Sequence, residues 1–524
     1  MLSDAIKIYL NLIQTMVINT MQYNLPDSAI QERGRYQDIG MVLGPIVFTL
    51  LMFFSTEQQT MSVAAWRTAA VGLWMAIWWA TEAIPVPVTA FLPIVTFPLL
   101  GITSLKEATS AYSNPIIYLF LGAFLLALAV ERWNLHKRIA LSILSVTGTD
   151  GNRLIGGFMV VGALLSMWMT NTSTAMMLMP IALSVTTVIS ENIQGLSRAR
   201  KNAFQVAMLL GLAYATTIGG LATLVGTPPN ALLAAFILEN YGVEISFARW
   251  MALGVPIMCV MLPLTWLLLT RVTFKVDIPA NPETQLHIEK LRRELGPITK
   301  PEVRVAVIFS LVILFWIMRR PISAWFGADF LTDPGIVMAA ALLLFIMPSG
   351  ASHYASSDRS HAAAQPQLMT WHDASRLPWG VLILFGGGLS LAASVSSTGL
   401  AQWLGESLMP LGNMGILVLI IAATGVVIFL TELTSNLATT ATFLPVMAAV
   451  ALQLNISPLL LCVPITLAAS CAFMLPVATP PNAIVFASGL LTIPQMVRAG
   501  ILLNILGMVI LTAVAVWWSP YIFG

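Results

Sequence analysis

Charge is what this sequence has least of: 9% of its 524 residues are Asp, Glu, Lys or Arg, while 58% are hydrophobic and mean hydropathy is +0.85. A soluble domain carries about 25% charged residues, so the surface of a water-soluble protein cannot be built from this chain. Soluble enzymes and nucleic-acid binders are thereby excluded. Cysteine is scarce too. Cys259, Cys462 and Cys471 fall in apolar stretches without CxxC or Cys/His spacing, which argues against a disulfide framework or a zinc site and for small buried apolar residues. There is no HExxH, no membrane-embedded Asp pair and no Gly-x-Ser-x-Gly with a partner His. An intramembrane protease or lipid hydrolase would need one of these, so the chain is not read as an enzyme. No small-x-small cleavage motif follows a compact apolar region near the start, so the N-terminus is expected to be retained.

What the chain has is long hydrophobic runs. Apolar segments lie near 39–54, 69–84, 86–100, 115–130, 154–169, 173–189, 203–217, 250–270, 303–318, 335–348, 379–396, 416–430, 438–453, 458–475 and 499–518. The pattern predicts an all-α polytopic membrane protein with about eleven transmembrane helices. Two stretches, 154–189 and 416–453, read as pairs of short halves hinged at a polar tip; halves of about 15 residues fall short of a roughly 30 Å hydrocarbon core, which predicts re-entrant hairpins. With the N-terminus inside, Lys and Arg collect on the cytoplasmic links, and only Arg67, Lys106, Arg249, Arg319 and Arg320 remain outside. That asymmetry sets the expected orientation, with the C-terminus outside. Residues 1–37 read as an N-terminal extension whose uncharged 8–26 stretch is too polar to span and better suits an interface. Residues 38–60 hold the first transmembrane helix and 276–302 a cytoplasmic link. The 349–370 link is of low complexity, and His353 and His361 there read as solvated.

Two pairs of motifs recur in the same order. S-M-W-M-T-N-T-S-T-A-M-M-L-M-P at 166–180 aligns without a gap with T-E-L-T-S-N-L-A-T-T-A-T-F-L-P at 431–445, and G-T-P-P-N-A at 226–231 is matched by A-T-P-P-N-A at 478–483. Each interrupts a stretch that should continue as helix. Unpaired backbone groups at membrane depth cost several kcal/mol each unless they line a cavity, so four breaks in matched pairs point to a binding site between repeats. Helix N-termini exposed at the breaks favour an anion, and freed carbonyls can hold a cation. Ser166 with Thr170, and Thr431 with Ser435, are four apart, which predicts two hydroxyls on one helical face below Asn171 and Asn436. Hard, neutral oxygen donors suit Na⁺ rather than a transition metal.

These residues resemble the divalent anion/sodium symporter family, whose members carry dicarboxylates, citrate or sulfate. The resemblance runs from about residue 38 to 520 and includes W-W-A-T-E-A-I-P-V-P-V-T-A at 78–90, E-R-W-N-L-H-K-R-I-A-L at 131–141 and L-P-W-G-V-L-I-L-F-G-G-G-L-S-L-A at 377–392. It implies inverted repeats, here 61–275 and 303–520, with two opposed hairpins and two broken helices. It also implies a homodimer in the inner membrane and elevator-type alternating access. By resemblance, one Na⁺ site comprises Ser166, Thr170, Asn171 and Gly226, and the other Thr431, Ser435, Asn436 and Ala478. Substrate would meet Asn171, Thr172, Thr227 and Pro228 from one repeat and Asn436, Leu437, Thr479 and Pro480 from the other. The family's S-N-T is T-N-T at 170–172, which keeps both hydroxyls, and S-N-L at 435–437, which loses one.

The resemblance therefore implies sodium-coupled symport of a C4 dicarboxylate such as succinate or malate, with no organic cofactor. A sodium-independent exchanger, or a citrate or sulfate symporter, is the alternative; neither tip has a Lys, Arg or His to replace a bound cation, which favours the symporter. A channel would need a continuous polar path. Glu432 could relay protons, but a structural role fits better, since a carboxylate in the pocket would repel a dianion. Glu82 and Glu131 read as paired or solvated, and His136 as an interfacial or capping residue.

Overall fold

In the computed structural model the described residues are 34–54, 61–192, 197–327, 331–350, 366–412 and 415–523. The expected interfacial helix at 8–26, and His353 and His361, lie outside them. The regular structure of the described residues is α-helix, with a 3-10 turn at Ala111–Ser113, π segments at Leu268–Thr273 and Val514–Trp518, and one isolated bridge, Pro348 to Gln367. Nine of its helices are long and apolar enough to cross a membrane, and five further apolar helices are shorter.

Helix starts follow local chemistry. Ser62, Asp150, Ser197, Ser246 and Thr332 each accept a backbone N–H at an N-terminus, and Ser104 with Glu107 and Thr299 with Glu302 form capping boxes. The chain opens with α1 (Arg35–Phe53) and α2 (Val63–Thr81). Then come α3 (Pro115–Arg132), α4 (Gly151–Ser166), α5 (Asn171–Asn192), α6 (Arg198–Gly220), α7 (Pro228–Tyr241) and α8 (Phe247–Leu267). The same order returns after α9 (Lys300–Phe326) and α10 (Asp333–Ile346). It runs through α11 (Trp379–Ser397), α12 (Ile416–Thr431), α13 (Asn436–Gln453), α14 (Pro458–Ala469), α15 (Pro480–Phe486) and α16 (Ile493–Ala513).

The hairpin limbs are less even than the sequence suggests. α4 and α12 have 16 residues each, as expected for short halves, but α5 runs for 22 and α13 for 18. The polar residues near the end of α5 do not stop it, because Thr186 and Thr187 return their hydroxyls to the Leu183 carbonyl and so remain compatible with the helix. Pro180 and Pro445 sit inside the second limbs at matched places.

Burial separates centre from periphery. In α6, 89% of the most apolar stretch is buried, against 11% in α1, whose Ile39, Val42, Leu50 and Phe53 face outward. An apolar helix left uncovered in this way suits lipid contact. The first hairpin packs its own core against α6 through Leu154, Phe158, Leu178, Val185, Phe204 and Leu212; the second has a smaller one built from Leu419, Ile420, Val450 and Leu461. Three amphipathic or charged helices, Leu135–Leu144, Pro282–Glu294 and Leu400–Gly412, appear where the sequence suggests only links.

Candidate functional site

Both hairpins turn in the same way. α4 stops at Ser166 and α5 starts at Asn171; α12 stops at Thr431 and α13 starts at Asn436. Residues between them reverse the chain, and a single helical face cannot continue through a reversal. The expected stacking of Ser166 on Thr170 and of Thr431 on Ser435 along one face is therefore wrong. Instead, Ser166 donates to Asn171 Oδ1 at 2.5 Å, and Thr431 Oγ1 lies 2.9 Å from Asn436 Oδ1. Thr170 turns the other way and accepts the Ser173 N–H at 3.1 Å, capping α5.

The second pair of motifs breaks the helices that follow. α6 ends at Gly220 and resumes as α7 at Pro228; α14 ends at Ala469 and resumes as α15 at Pro480. Proline fits the first turn of each resumed helix, where no N–H partner is available. Each break is stitched by the Asn after its prolines. Asn230 donates to the carbonyls of Gly220 and Thr223, and Asn482 to those of Ala472 and Leu475, at 2.8–3.3 Å. In both, the amide oxygen is buried without a partner among the described residues. Glycine permits the close approach: a Cβ at Gly254 of α8 would lie 2.5 Å from the Leu221 carbonyl oxygen, and one at Gly500 of α16 would lie 2.4 Å from that of Phe473. Sequence reasoning misses the part these four residues play. The signal that could reveal it is the repeat itself, since each has a counterpart in the other half.

Between the tips and the breaks lies a cavity of about 560 Å³. Asn171, Thr172, Thr227 and Pro228 from the first repeat and Asn436, Leu437, Thr479 and Pro480 from the second all line it. So do Thr170, Gly226, Ser435 and Ala478, whereas Ser166 and Thr431 sit behind the wall, fully buried. Trp79 of α2, Phe124 of α3 and Leu384 of α11 supply the apolar face opposite, and Glu82, Glu131 and Arg376 stand among the lining residues. Arg376 lies 3.4 Å from Glu131, so that carboxylate is paired, as expected. The tips and breaks themselves bring no formal charge to the cavity. The tips and breaks offer it hydroxyls, amides and backbone carbonyls, neutral oxygen donors of the kind that suits an alkali cation.

Glu432 does not line this cavity. Its two carboxylate oxygens accept the N–H groups of Phe473, Met474 and Leu475 at 2.8–3.1 Å and the Asn504 amide at 2.7 Å. It fastens the second break to its own hairpin. His136 likewise acts locally. Its Nδ1 bonds the Val130 carbonyl at 3.0 Å, and burial pushes the imidazole below its usual pKa. On the flank of the first tip, Trp168 stacks with Phe247 of α8 and Trp316 of α9, whose own rings are 3.9 Å apart. Arg319 of α9 bonds Glu244 at 2.5 Å, and Asp333 accepts the Phe247 N–H at 2.8 Å.

Comparison with known proteins agrees with this architecture. The family described as "Sodium:sulfate symporter transmembrane region" matches residues 37–523. The sodium-dependent dicarboxylate transporter SdcS of Staphylococcus saprophyticus is 41% identical over 492 residues, covering 93% of this chain and 92% of that protein. Its counterpart from Staphylococcus aureus USA300 is 41% identical over 497 residues, with the same coverage. Among solved structures, MtrF of Neisseria gonorrhoeae aligns over 97% of this chain and 98% of its own with a TM-score of 0.55 at 12% identity. The YdaH transporter of Alcanivorax borkumensis aligns over 86% of this chain and 99% of its own with a TM-score of 0.52 at 14% identity. At such identities the two structures speak for the fold alone.

Proposed function

Because the chain belongs to the sodium:sulfate symporter family, we propose that it is a multi-pass membrane transporter that moves a C4 dicarboxylate such as succinate or malate together with Na⁺. The observation that carries this reading is the single cavity walled by both tips and both breaks, with the 41% identical dicarboxylate carriers beside it. A dianion in such a cavity meets N–H groups, hydroxyls and amides but no fixed cation at the tips. Desolvating two negative charges is unfavourable by several kcal/mol unless cations bind close by. Na⁺ held by Ser166, Asn171 and Gly226 on one side, and by Thr431, Asn436 and Ala478 on the other, supplies that compensation. Thr170 and Ser435 then shape the tips. The substrate carboxylates lie against Asn171, Thr172, Thr227 and Pro228 at one end and Asn436, Leu437, Thr479 and Pro480 at the other.

In this reading residues 61–275 and 303–520 are inverted repeats, the hairpins are re-entrant and opposed, and the protein works as a homodimer in the inner membrane by elevator-type alternating access. The N-terminus is cytoplasmic and the C-terminus outside, as the placement of Lys and Arg favours. Arg376 and Glu131 then mark the cytoplasmic mouth, and the cavity faces inward.

Uptake into proteoliposomes tests the reading. Labelled succinate should accumulate with an inward Na⁺ gradient and fall to background when choline replaces Na⁺, and citrate and sulfate should enter more slowly. Uptake indifferent to Na⁺, or succinate counterflow without it, would support an exchanger instead.

A further inference from the structure

The two halves place different residues where helix meets tip. At the end of α6 stand Gly220 and, across the break, Gly226; at matched places in the second half stand Ala472 and Ala478. The correspondence is fixed by contacts as well as by spacing, because Asn230 bonds the Gly220 carbonyl just as Asn482 bonds that of Ala472. Gly220 has no room for more. A Cβ there would lie 2.7 Å from Asn171 Oδ1, 3.2 Å from Asn171 Nδ2 and 3.2 Å from the Gly226 carbonyl oxygen. A Cβ on Gly226 would in turn lie 2.6 Å from the Gly220 carbonyl oxygen. Separations below about 3 Å are not tolerated by real side chains: at Gly226 the atom in the way is backbone, and at Gly220 the group that would have to move is the Asn171 amide itself. The Asn171 amide thus rests on bare backbone, with the Gly226 carbonyl alongside.

The hydrogen bonds differ in the same sense. Ser166 gives its proton to Asn171 at 2.5 Å. Thr431 lies 2.9 Å from Asn436 but also 2.7 Å from the Ala469 carbonyl, and its one proton serves one acceptor at a time. The first cradle is drawn together and committed; the second carries two extra methyls and shares its hydroxyl.

We propose that Gly220 is a positioning residue that makes the first cradle the tighter of two unequal sodium sites. The inference rests on the sodium-coupled reading above and adds to it that the two ions are not held alike. Tight seating matters because an alkali cation is bound by several weak oxygen dipoles whose distances must all be met together. The first site fills at lower Na⁺, and the second sets the upper part of the sodium dependence.

The test uses the full-length protein, assayed for succinate uptake and, without substrate, for the rise in melting temperature caused by Na⁺ in detergent. Gly220→Ala should abolish the part of the melting shift seen at low Na⁺, raise the half-saturating Na⁺ concentration for uptake about twofold, and raise the Hill coefficient as the two sites become alike. Gly162→Ala, in the first limb of the same hairpin, is the control, since its Cβ would meet nothing nearer than 3.5 Å, where the Leu212 and Thr216 side chains of α6 stand; it should change none of these. Ala472→Gly combined with Ala478→Gly, which only removes methyls, should lower the half-saturating Na⁺ about threefold. It keeps the proposal testable if Gly220→Ala fails to fold. A folded Gly220→Ala protein with wild-type sodium dependence, or an unchanged curve for the double variant, would overturn the inference. Absence of any Na⁺ effect on the wild type would overturn the sodium-coupled reading instead.

Discussion

The break between α6 and α7 and the break between α14 and α15 follow the same course but are fastened differently. In the first, the Thr223 hydroxyl donates to the Met167 carbonyl at 2.5 Å and accepts the Gly226 N–H at 3.0 Å, while Trp250 donates to the Leu221 carbonyl. In the second, the Glu432 carboxylate gathers three consecutive N–H groups, Asn504 buttresses it, and Tyr214 of α6 donates to the Phe473 carbonyl at 2.7 Å. Glu432 occupies the place of Met167 in the aligned tips. A repeat preserves the path of the backbone while leaving free the choice of what pins it. One half uses neutral hydrogen bonds, the other a buried charge.

If that contrast is sound, its largest effect lies at Glu432. Glu432→Ala leaves three N–H groups and the Asn504 amide without their acceptor, and should destabilise the protein by roughly 3–5 kcal/mol, the range for stranding partners of a buried charge. Thr223→Val removes a neutral fastening and should cost only about 1–2 kcal/mol. Melting temperatures of the two variants in detergent measure the difference, and equal losses would contradict it. The tips come next. Asn171→Ala and Asn436→Ala should each weaken succinate binding by roughly 1–3 kcal/mol, through hydroxyls and ligands left unpaired, while the melting temperature stays near that of the wild type. Uptake kinetics at saturating Na⁺ check this, and normal KM values in both would break the correspondence between tip and site.

A smaller effect separates Thr172 from Leu437, the mismatch among the cavity-lining residues of the tips proposed to meet substrate. Leu437 narrows its end of the cavity and offers no hydrogen bond. Leu437→Thr should raise the citrate-to-succinate ratio of kcat/KM by about 1 kcal/mol, or several-fold, and Thr172→Leu should lower it. An unchanged ratio in both would mean that the two ends do not discriminate. The smallest effect concerns the surface helix Leu135–Leu144, where the first half has His136 and the second, at the matched place, Ala401. Burial holds the His136 pKa below its usual value, so the folded protein resists a proton that the unfolded chain accepts. Stability from this group is complete above the unfolded pKa of about 6.5 and declines as pH falls below it, by at most about 1.4 kcal/mol per pH unit. His136→Gln should flatten the fall in melting temperature between about pH 6.5 and 5.5 while leaving the value near pH 7.5 unchanged, and an unaltered slope would count against it.

The tips are legible in the sequence because polar residues inside apolar runs are conspicuous, and the repeated motif ties Asn171 to Asn436. All eight residues expected to meet substrate line one cavity. The hydroxyl stacking fails because spacing alone assumes that a helix continues, whereas both helices stop at Ser166 and Thr431. Leu135–Leu144, Pro282–Glu294 and Leu400–Gly412 look like links because an amphipathic helix of 10–13 residues is too polar and too short to register among spans. Gly254 and Gly500 escape notice for another reason. Their importance is a matter of which backbone approaches them, and nothing in the local sequence states that. Charge repulsion alone suggests a structural role for Glu432; the nest of N–H groups that holds it comes from residues about forty positions away.

The charge of Glu432 has an electrical consequence. Both its oxygens accept N–H donors, an arrangement that suits a carboxylate, and in that form Glu432 gives the second hairpin a negative charge of its own. In the proposed two-site cycle two Na⁺ and one dianion would cancel one another, so Glu432 would add the same charge to the loaded hairpin as to the empty one. Moving a unit charge through a membrane potential of about 100 mV involves about 2.3 kcal/mol. If the hairpin travels across part of the field, voltage should favour its displacement in one direction and oppose it in the other, with or without cargo. Over a complete cycle the contribution vanishes because the charge returns, so stoichiometry is untouched. What voltage would bias is the side on which the resting carrier waits.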